Sequence, residues 1–150
     1  MERTDDLTNF VPELKEFRSV RGWREDGNDL RQLLLAEETM ADTCSRLARE
    51  LPGQASVLRR MAQDARGHVA CLEGICVLVT GEVPDIRTPA PEVGAVLPTL
   101  RRCYGTAMRT LVTYEARSSD REYGPVFNRL AAQQRDQCRK LLELIGAVGK

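Results

Sequence analysis

Apolar residues recur at alternating spacings of three and four in four separate stretches of the chain. This spacing places them on one face of an α-helix, so the pattern predicts four amphipathic helices. In chain order, the face positions are Leu30, Leu34, Glu37, Ala41, Cys44, Ala48 and Leu51; Leu58, Met61, Ala65, His68, Leu72, Ile75 and Val79; Leu97, Leu100, Tyr104, Ala107, Leu111 and Tyr114; and Phe127, Leu130, Gln134, Gln137, Leu141, Leu144 and Val148.

Helix-breaking residues separate the four stretches. Pro52-Gly53 lies between the first two, and Gly124-Pro125 lies between the last two. The connection that begins at Gly81 is the longest and the richest in proline. Two helical hairpins joined by a longer connection are typical of a four-helix bundle with a crossover. We therefore predict an all-α bundle of two αα-hairpins over residues 28–150, preceded by an N-terminal extension, residues 1–27, that is partly irregular or forms one short helix.

The two predicted hairpins are related by an internal repeat. ASVLRRMAQDARGH, from Ala55, aligns without gaps with GPVFNRLAAQQRDQ, from Gly124. The alignment pairs His68 with Gln137, and further on Leu72 with Leu141. The hairpins therefore read as two copies of one structural unit.

Four polar residues occupy positions on the apolar faces: Glu37, His68, Gln134 and Gln137. His68 is the only histidine in the chain. A buried polar group without a partner costs about 1–3 kcal/mol, so we expect these side chains to be hydrogen-bonded. The expected arrangement is a polar layer at mid-bundle, in which the carboxylate binds one imidazole nitrogen and an amide binds the other. The same residues are also candidate metal ligands.

Composition and charge exclude several classes of partner. The 22 basic and 22 acidic side chains cancel, so nucleic acid is not an expected partner. The charged start, MERTDDLTNF, does not resemble a signal peptide, and the longest apolar run, 75–79, is too short to span a membrane. The five cysteines form no CxxC pair, which favours buried, reduced thiols over a zinc ribbon. We therefore expect a cytoplasmic protein without a membrane partner.

The stretch from Leu30 to Leu144 resembles the ferritin-like superfamily, and its rubrerythrin branch most of all. In that family, helices one and three each supply a Glu followed seven residues later by a Tyr, and helices two and four each supply Glu-x-x-His. Side chains three apart project from the same face of a helix, so four such helices form a carboxylate-rich cage for two iron ions. The resemblance implies a ferritin-like four-helix bundle.

Most of the family's iron ligands are replaced in this sequence. In chain order, the ligand positions fall on Glu37 or Glu38, Ala65, His68, Ala107, Gln134 and Gln137. One glutamate and the histidine remain, and Tyr114 keeps the tyrosine of helix three. A di-iron centre needs several anionic oxygens to balance its charge, whereas this set supplies one. The resemblance therefore implies a degenerate di-iron site, with vestigial positions at Ala65, Ala107, Gln134 and Gln137.

The function that we expect is that of a rubrerythrin-related bundle that has lost di-iron oxidoreductase activity. It keeps a buried polar layer, has no catalytic residue and no cofactor, and serves a binding or structural role. By analogy with its fold class it self-associates into a homo-oligomer. The alternative is a metal-binding protein. It would hold one iron or zinc ion on Glu37, His68 and a third donor, which is Glu38, Cys71 or a water, or retain a peroxide-scavenging di-iron oxidase activity.

Overall fold

The computed structural model describes residues 28–149; the predicted N-terminal extension, residues 1–27, and Lys150 lie outside these residues. The described part is built of four long helices and one short 3-10 turn. They are α1 (Asn28–Glu50), the 3-10 turn (Pro52–Gln54), α2 (Ala55–Thr80), α3 (Val96–Arg117) and α4 (Gly124–Val148). The predicted all-α four-helix bundle is confirmed. None of the described helices is long and apolar enough to cross a membrane.

Glycine and aspartate residues at the helix ends explain where α2 ends and where α4 begins. Gly81 ends α2 in the left-handed conformation, with φ of 83°, and its N–H donates to the carbonyl of Val77. Between α3 and α4, the carboxylate of Asp120 accepts the backbone N–H of Tyr123 at 2.8 Å. A Cβ atom on Gly124 would lie 2.6 Å from the carbonyl oxygen of Ser118, so this turn requires glycine.

The connection between α2 and α3 is a crossover that returns along the bundle. Arg117 Nε, at the end of α3, donates to the Asp29 carboxylate, at the start of α1, at 3.0 Å, so α1 and α3 are antiparallel. Because α1 is also antiparallel to α2 within their hairpin, α2 and α3 run in the same direction. The connection, 81–95, must therefore travel the length of the bundle, and Thr88 within it donates to Asp42 of α1 at 3.3 Å.

The interior is formed by the faces that the spacing predicts. All face positions are buried except four, which are partly buried: Leu51, Tyr104, Leu97 and Val148. The core also contains Leu33, Met40 and Leu47, because a helix packed against two neighbours buries a wider stripe than one row of residues. Four cysteines are buried and Cys71 is partly buried. Burial raises the pKa of the Cys103 thiol to about 11.

Candidate functional site

The centre of the bundle holds a polar cluster organised around Glu37. His68 Nδ1 donates to Glu37 Oε2 at 2.9 Å, and the Tyr114 hydroxyl donates to the same oxygen at 2.5 Å. The three side chains come from α1, α2 and α3 and are 3%, 4% and 0% exposed. Hydrogen bonds to an ionised acceptor are the stronger kind, so this cluster ties three helices together at one buried atom.

The second nitrogen of His68 faces the fourth helix. Nε2 lies 2.9 Å from Oε1 of Gln133, so each ring nitrogen faces an oxygen atom, an arrangement that suits the doubly protonated imidazole. Burial lowers the pKa of His68. The hydrogen bond and negative charge of Glu37 outweigh burial, and the net pKa is raised above its ordinary value. The surroundings of His68 therefore favour the imidazolium form, paired with the Glu37 carboxylate.

Tyr114 serves this ion pair as a neutral donor. Burial raises the pKa of its hydroxyl far above the ordinary value, and the charge of Glu37 raises it further. The phenol ring also packs edge-on against the imidazole, with ring centres 6.3 Å apart and planes at 88°, and against Phe127 at 6.2 Å. Its position is thus fixed by packing as well as by the hydrogen bond.

The two glutamines on the α4 face bind backbone rather than the ion pair. Gln134 Nε2 donates to the carbonyl of Ala107 at 3.2 Å, and Gln137 Nε2 donates to that of Met61 at 3.3 Å. Within residues 28–149, Oε1 of each glutamine is buried without a hydrogen-bond partner. The expectation that one of these amides binds the imidazole is wrong, because Gln133 does so.

Gln133 and the Tyr114 hydrogen bond were both missed by the sequence reasoning. Gln133 is an exposed residue at the edge of the α4 face, so the spacing of apolar residues gave no signal for it. Tyr114 lies 77 residues from Glu37 along the chain. Its place on the buried face of α3 and its match to the tyrosine of the family's helix three were the available hints.

The sequence-predicted ligand positions are brought to one level of the bundle, but they carry few metal donors. Glu37 and His68 contact each other, whereas Glu38 is partly exposed on a neighbouring face of α1. Ala65 and Ala107 are buried and offer no donor side chain. In the part of the chain that the structure describes, no group of three or more His, Cys, Asp or Glu residues is placed to hold a metal ion. These residues do not fit a di-iron centre.

Comparison with known proteins bears on the fold. No protein-family model matches the sequence, and no curated protein matches it either. Among solved structures, the chain is similar to a ferritin-like, diiron-carboxylate protein from Bacillus anthracis (TM-score 0.67, 18% identity, 85% of this chain and 97% of that one). It is also similar to a ferritin from Chlorobium tepidum (TM-score 0.61, 16% identity, 79% and 81%). The chain has the ferritin-like four-helix bundle fold.

Proposed function

We propose that this protein is a ferritin-like bundle without di-iron chemistry, in which an ion pair occupies the level of the metal centre. Its role is binding or structural. The observation that carries this proposal is that Oε2 of Glu37 accepts hydrogen bonds from both His68 and Tyr114. The core carboxylate is engaged by side chains of the chain itself.

The charges at the centre of the bundle also disfavour a pair of iron ions. Two ferrous ions bring four positive charges into the core, and buried charge is tolerated only when it is balanced by close ligands. Glu37 supplies one negative charge, while His68 as imidazolium supplies a positive one. The neutral amides of Gln134 and Gln137 stand where the family has a carboxylate and an imidazole. Iron binding would have to displace a proton from His68 and two donors from Glu37.

The layer has a structural consequence of its own. A buried ion pair is stable only when its partners meet in good geometry, so it favours one alignment of α1 against α2 and α3. The bond from His68 to Gln133 extends this constraint to α4. A single hydrogen-bonded cluster thereby links side chains of all four helices.

Iron content and oxidase activity test the proposal. The protein is purified without chelator, loaded anaerobically with Fe(II), desalted and assayed for iron, ferroxidase and peroxidase activity. We expect iron far below one ion per chain and no activity above buffer. Stoichiometric iron that is lost in His68→Ala would contradict the proposal and favour the metal-binding alternative with Glu37 and Glu38.

A restored variant provides the matched control. The combination Ala65→Glu, Ala107→Glu, Gln134→Glu and Gln137→His returns the family's ligands to their positions on α2, α3 and α4. We expect this variant to bind iron under the same conditions. If it folds and stays free of iron, the vestigial positions are assigned incorrectly.

Location and self-association remain predictions from the sequence. A cytoplasmic location and a homo-oligomer are what the composition and the fold class favour. Light scattering on the purified protein measures the mass directly. A mass of one chain at micromolar concentration contradicts the predicted oligomer.

A further inference from the structure

An open groove of about 560 Å³ runs between α2 and α4, on the side of His68 that faces away from Glu37. Each wall contains a residue with a small side chain or none, Gly67 on α2 and Ala132 on α4, and this gives the groove its depth. Its floor contains Leu130 and the Nε2 edge of His68, which the amide of Gln133 covers. The groove therefore combines an apolar floor with polar walls.

The register of the two helices gives the groove a direction. On α2 the contacts run from His68 to Met61 while their partners on α4 run from Gln133 to Gln137, so the two helices are antiparallel. This register places residue 64 opposite residue 136, and residue 71 opposite residue 129. Seven residues of helix span about 10 Å, so the two ends of the groove are about 10 Å apart along the helix axes.

The two ends carry opposite charges that the protein leaves unpaired. Asp136 is engaged by Arg139 at 2.6 Å and by Lys140 at 3.2 Å, which offsets its charge. Across the described helices, neither Asp64 at one end nor Arg129 at the other has an ion-pair or hydrogen-bond partner. Between them, His68 contacts the Glu37 carboxylate, and the nearby charge of Asp64 also raises the pKa of His68. The groove is thus negative at the Asp64 end and positive at the Arg129 end.

We propose that this groove binds a linear zwitterion, a small molecule with an ammonium group at one end of an apolar chain and a carboxylate at the other. The carboxylate pairs with the guanidinium of Arg129, which suits planar, two-pronged recognition of such groups. The ammonium pairs with Asp64, and an apolar linker lies on Leu130 and Ala132. This inference rests on the proposed function, because it requires His68 to be held by Glu37 rather than by a metal, and it gives the binding role a ligand class.

Three probes of matched length test the ligand class. They are 6-aminohexanoate, which carries both charges, hexanoate, which carries only the carboxylate, and hexylamine, which carries only the ammonium. Binding is followed by calorimetry and by the ¹⁵N resonances of the single imidazole, His68, which lies in the groove floor. We expect 6-aminohexanoate to bind about tenfold more tightly than either single-ended probe, the ratio that a difference of about 1.4 kcal/mol produces.

Variants at the two ends test the location. Arg129→Gln and Asp64→Asn should each weaken binding of 6-aminohexanoate by about tenfold, on the same conversion. Arg60→Gln is the matched control, since Arg60 is an exposed arginine of α2 outside the groove. Its affinity should equal that of the unaltered protein.

The outcomes separate this inference from the proposed function. Equal affinity for hexanoate and 6-aminohexanoate overturns the zwitterion, and an equal loss in Arg60→Gln overturns the groove as its site. Iron-free protein that binds none of the probes overturns this inference alone. Stoichiometric iron in the same preparation overturns the proposed function first.

Discussion

The two hairpins of the bundle resemble each other along 55–68 and 124–137, yet they place different chemistry at the same buried level. The first hairpin places a charged pair there, Glu37 and His68, and the second places neutral Gln134 and Gln137. The charged residues bind each other and recruit Tyr114, whereas each glutamine donates to a backbone carbonyl and leaves its own oxygen without a partner among the described residues. The comparison indicates that a buried charge requires a specific partner, while a buried amide tolerates partial satisfaction.

Removing the Glu37 carboxylate should cause the largest loss of stability. Glu37→Ala leaves a buried imidazolium and a buried hydroxyl without their acceptor, and breaking a buried ion pair in this way costs about 3–5 kcal/mol. We expect that loss in the free energy of unfolding, measured by urea denaturation. The matched control is Glu38→Ala, because Glu38 is the partly exposed neighbour and should change stability by less than about 0.5 kcal/mol. Equal losses would mean that Glu37 is not the organising residue.

Removing one donor should have a smaller effect. Tyr114→Phe deletes the hydroxyl that binds Glu37 but keeps the ring that packs on His68 and Phe127. A hydrogen bond to a charged group contributes about 1.5–3 kcal/mol, and we expect a loss in that range. Tyr104→Phe, at a partly buried tyrosine outside the cluster, serves as the control. Identical urea midpoints for Tyr114→Phe and the unaltered protein would rule out a contributing hydrogen bond.

The pair of Glu37 and His68 should also make the stability of the protein depend on pH. Folded His68 has a pKa above the ordinary 6.5, so the folded chain binds this proton more tightly than the unfolded chain does. The contribution of the pair is complete below pH 6.5 and is lost as the pH rises through the folded pKa. The free energy of unfolding should therefore decline as the pH rises from 6.5, the ordinary pKa of histidine, to 9.0, the ordinary pKa of a thiol. In Glu37→Gln that decline should be much shallower; an equal slope would exclude the pair as its cause.

The two buried glutamines of the second hairpin should tolerate replacement by an apolar residue. Gln134→Leu and Gln137→Leu keep the approximate volume and remove the unpartnered amide oxygens, so we expect each to change stability by less than about 1.5 kcal/mol in either direction. Urea denaturation of each variant and of the pair measures this. A loss as large as that of Glu37→Ala would erase the difference between the two hairpins.

The fold was readable from the sequence because it depends on local periodicity. The spacing Met61, Ala65, His68 and Leu72 places the histidine inward wherever the neighbouring helices lie. The sequence predicts only one of the two partners of His68. Its bond to Glu37 follows from two inward positions in one hairpin, but its bond to Gln133 depends on the separation and rotation of α2 against α4. Those quantities arise from packing of the whole bundle, so the spacing of apolar residues in one helix does not predict them.

In the proposed function, an ion pair between Glu37 and His68 stands at the level where the resemblance to ferritin-like proteins implies iron. The most direct test is the ¹⁵N NMR spectrum of the imidazole, because the chain has a single histidine. At pH 6.5, we predict that both ring nitrogens are protonated, that the spectrum is unchanged by Fe(II), and that Glu37→Gln lowers the pKa of His68. A neutral imidazole at that pH, or a resonance that Fe(II) shifts or broadens stoichiometrically, would contradict the account.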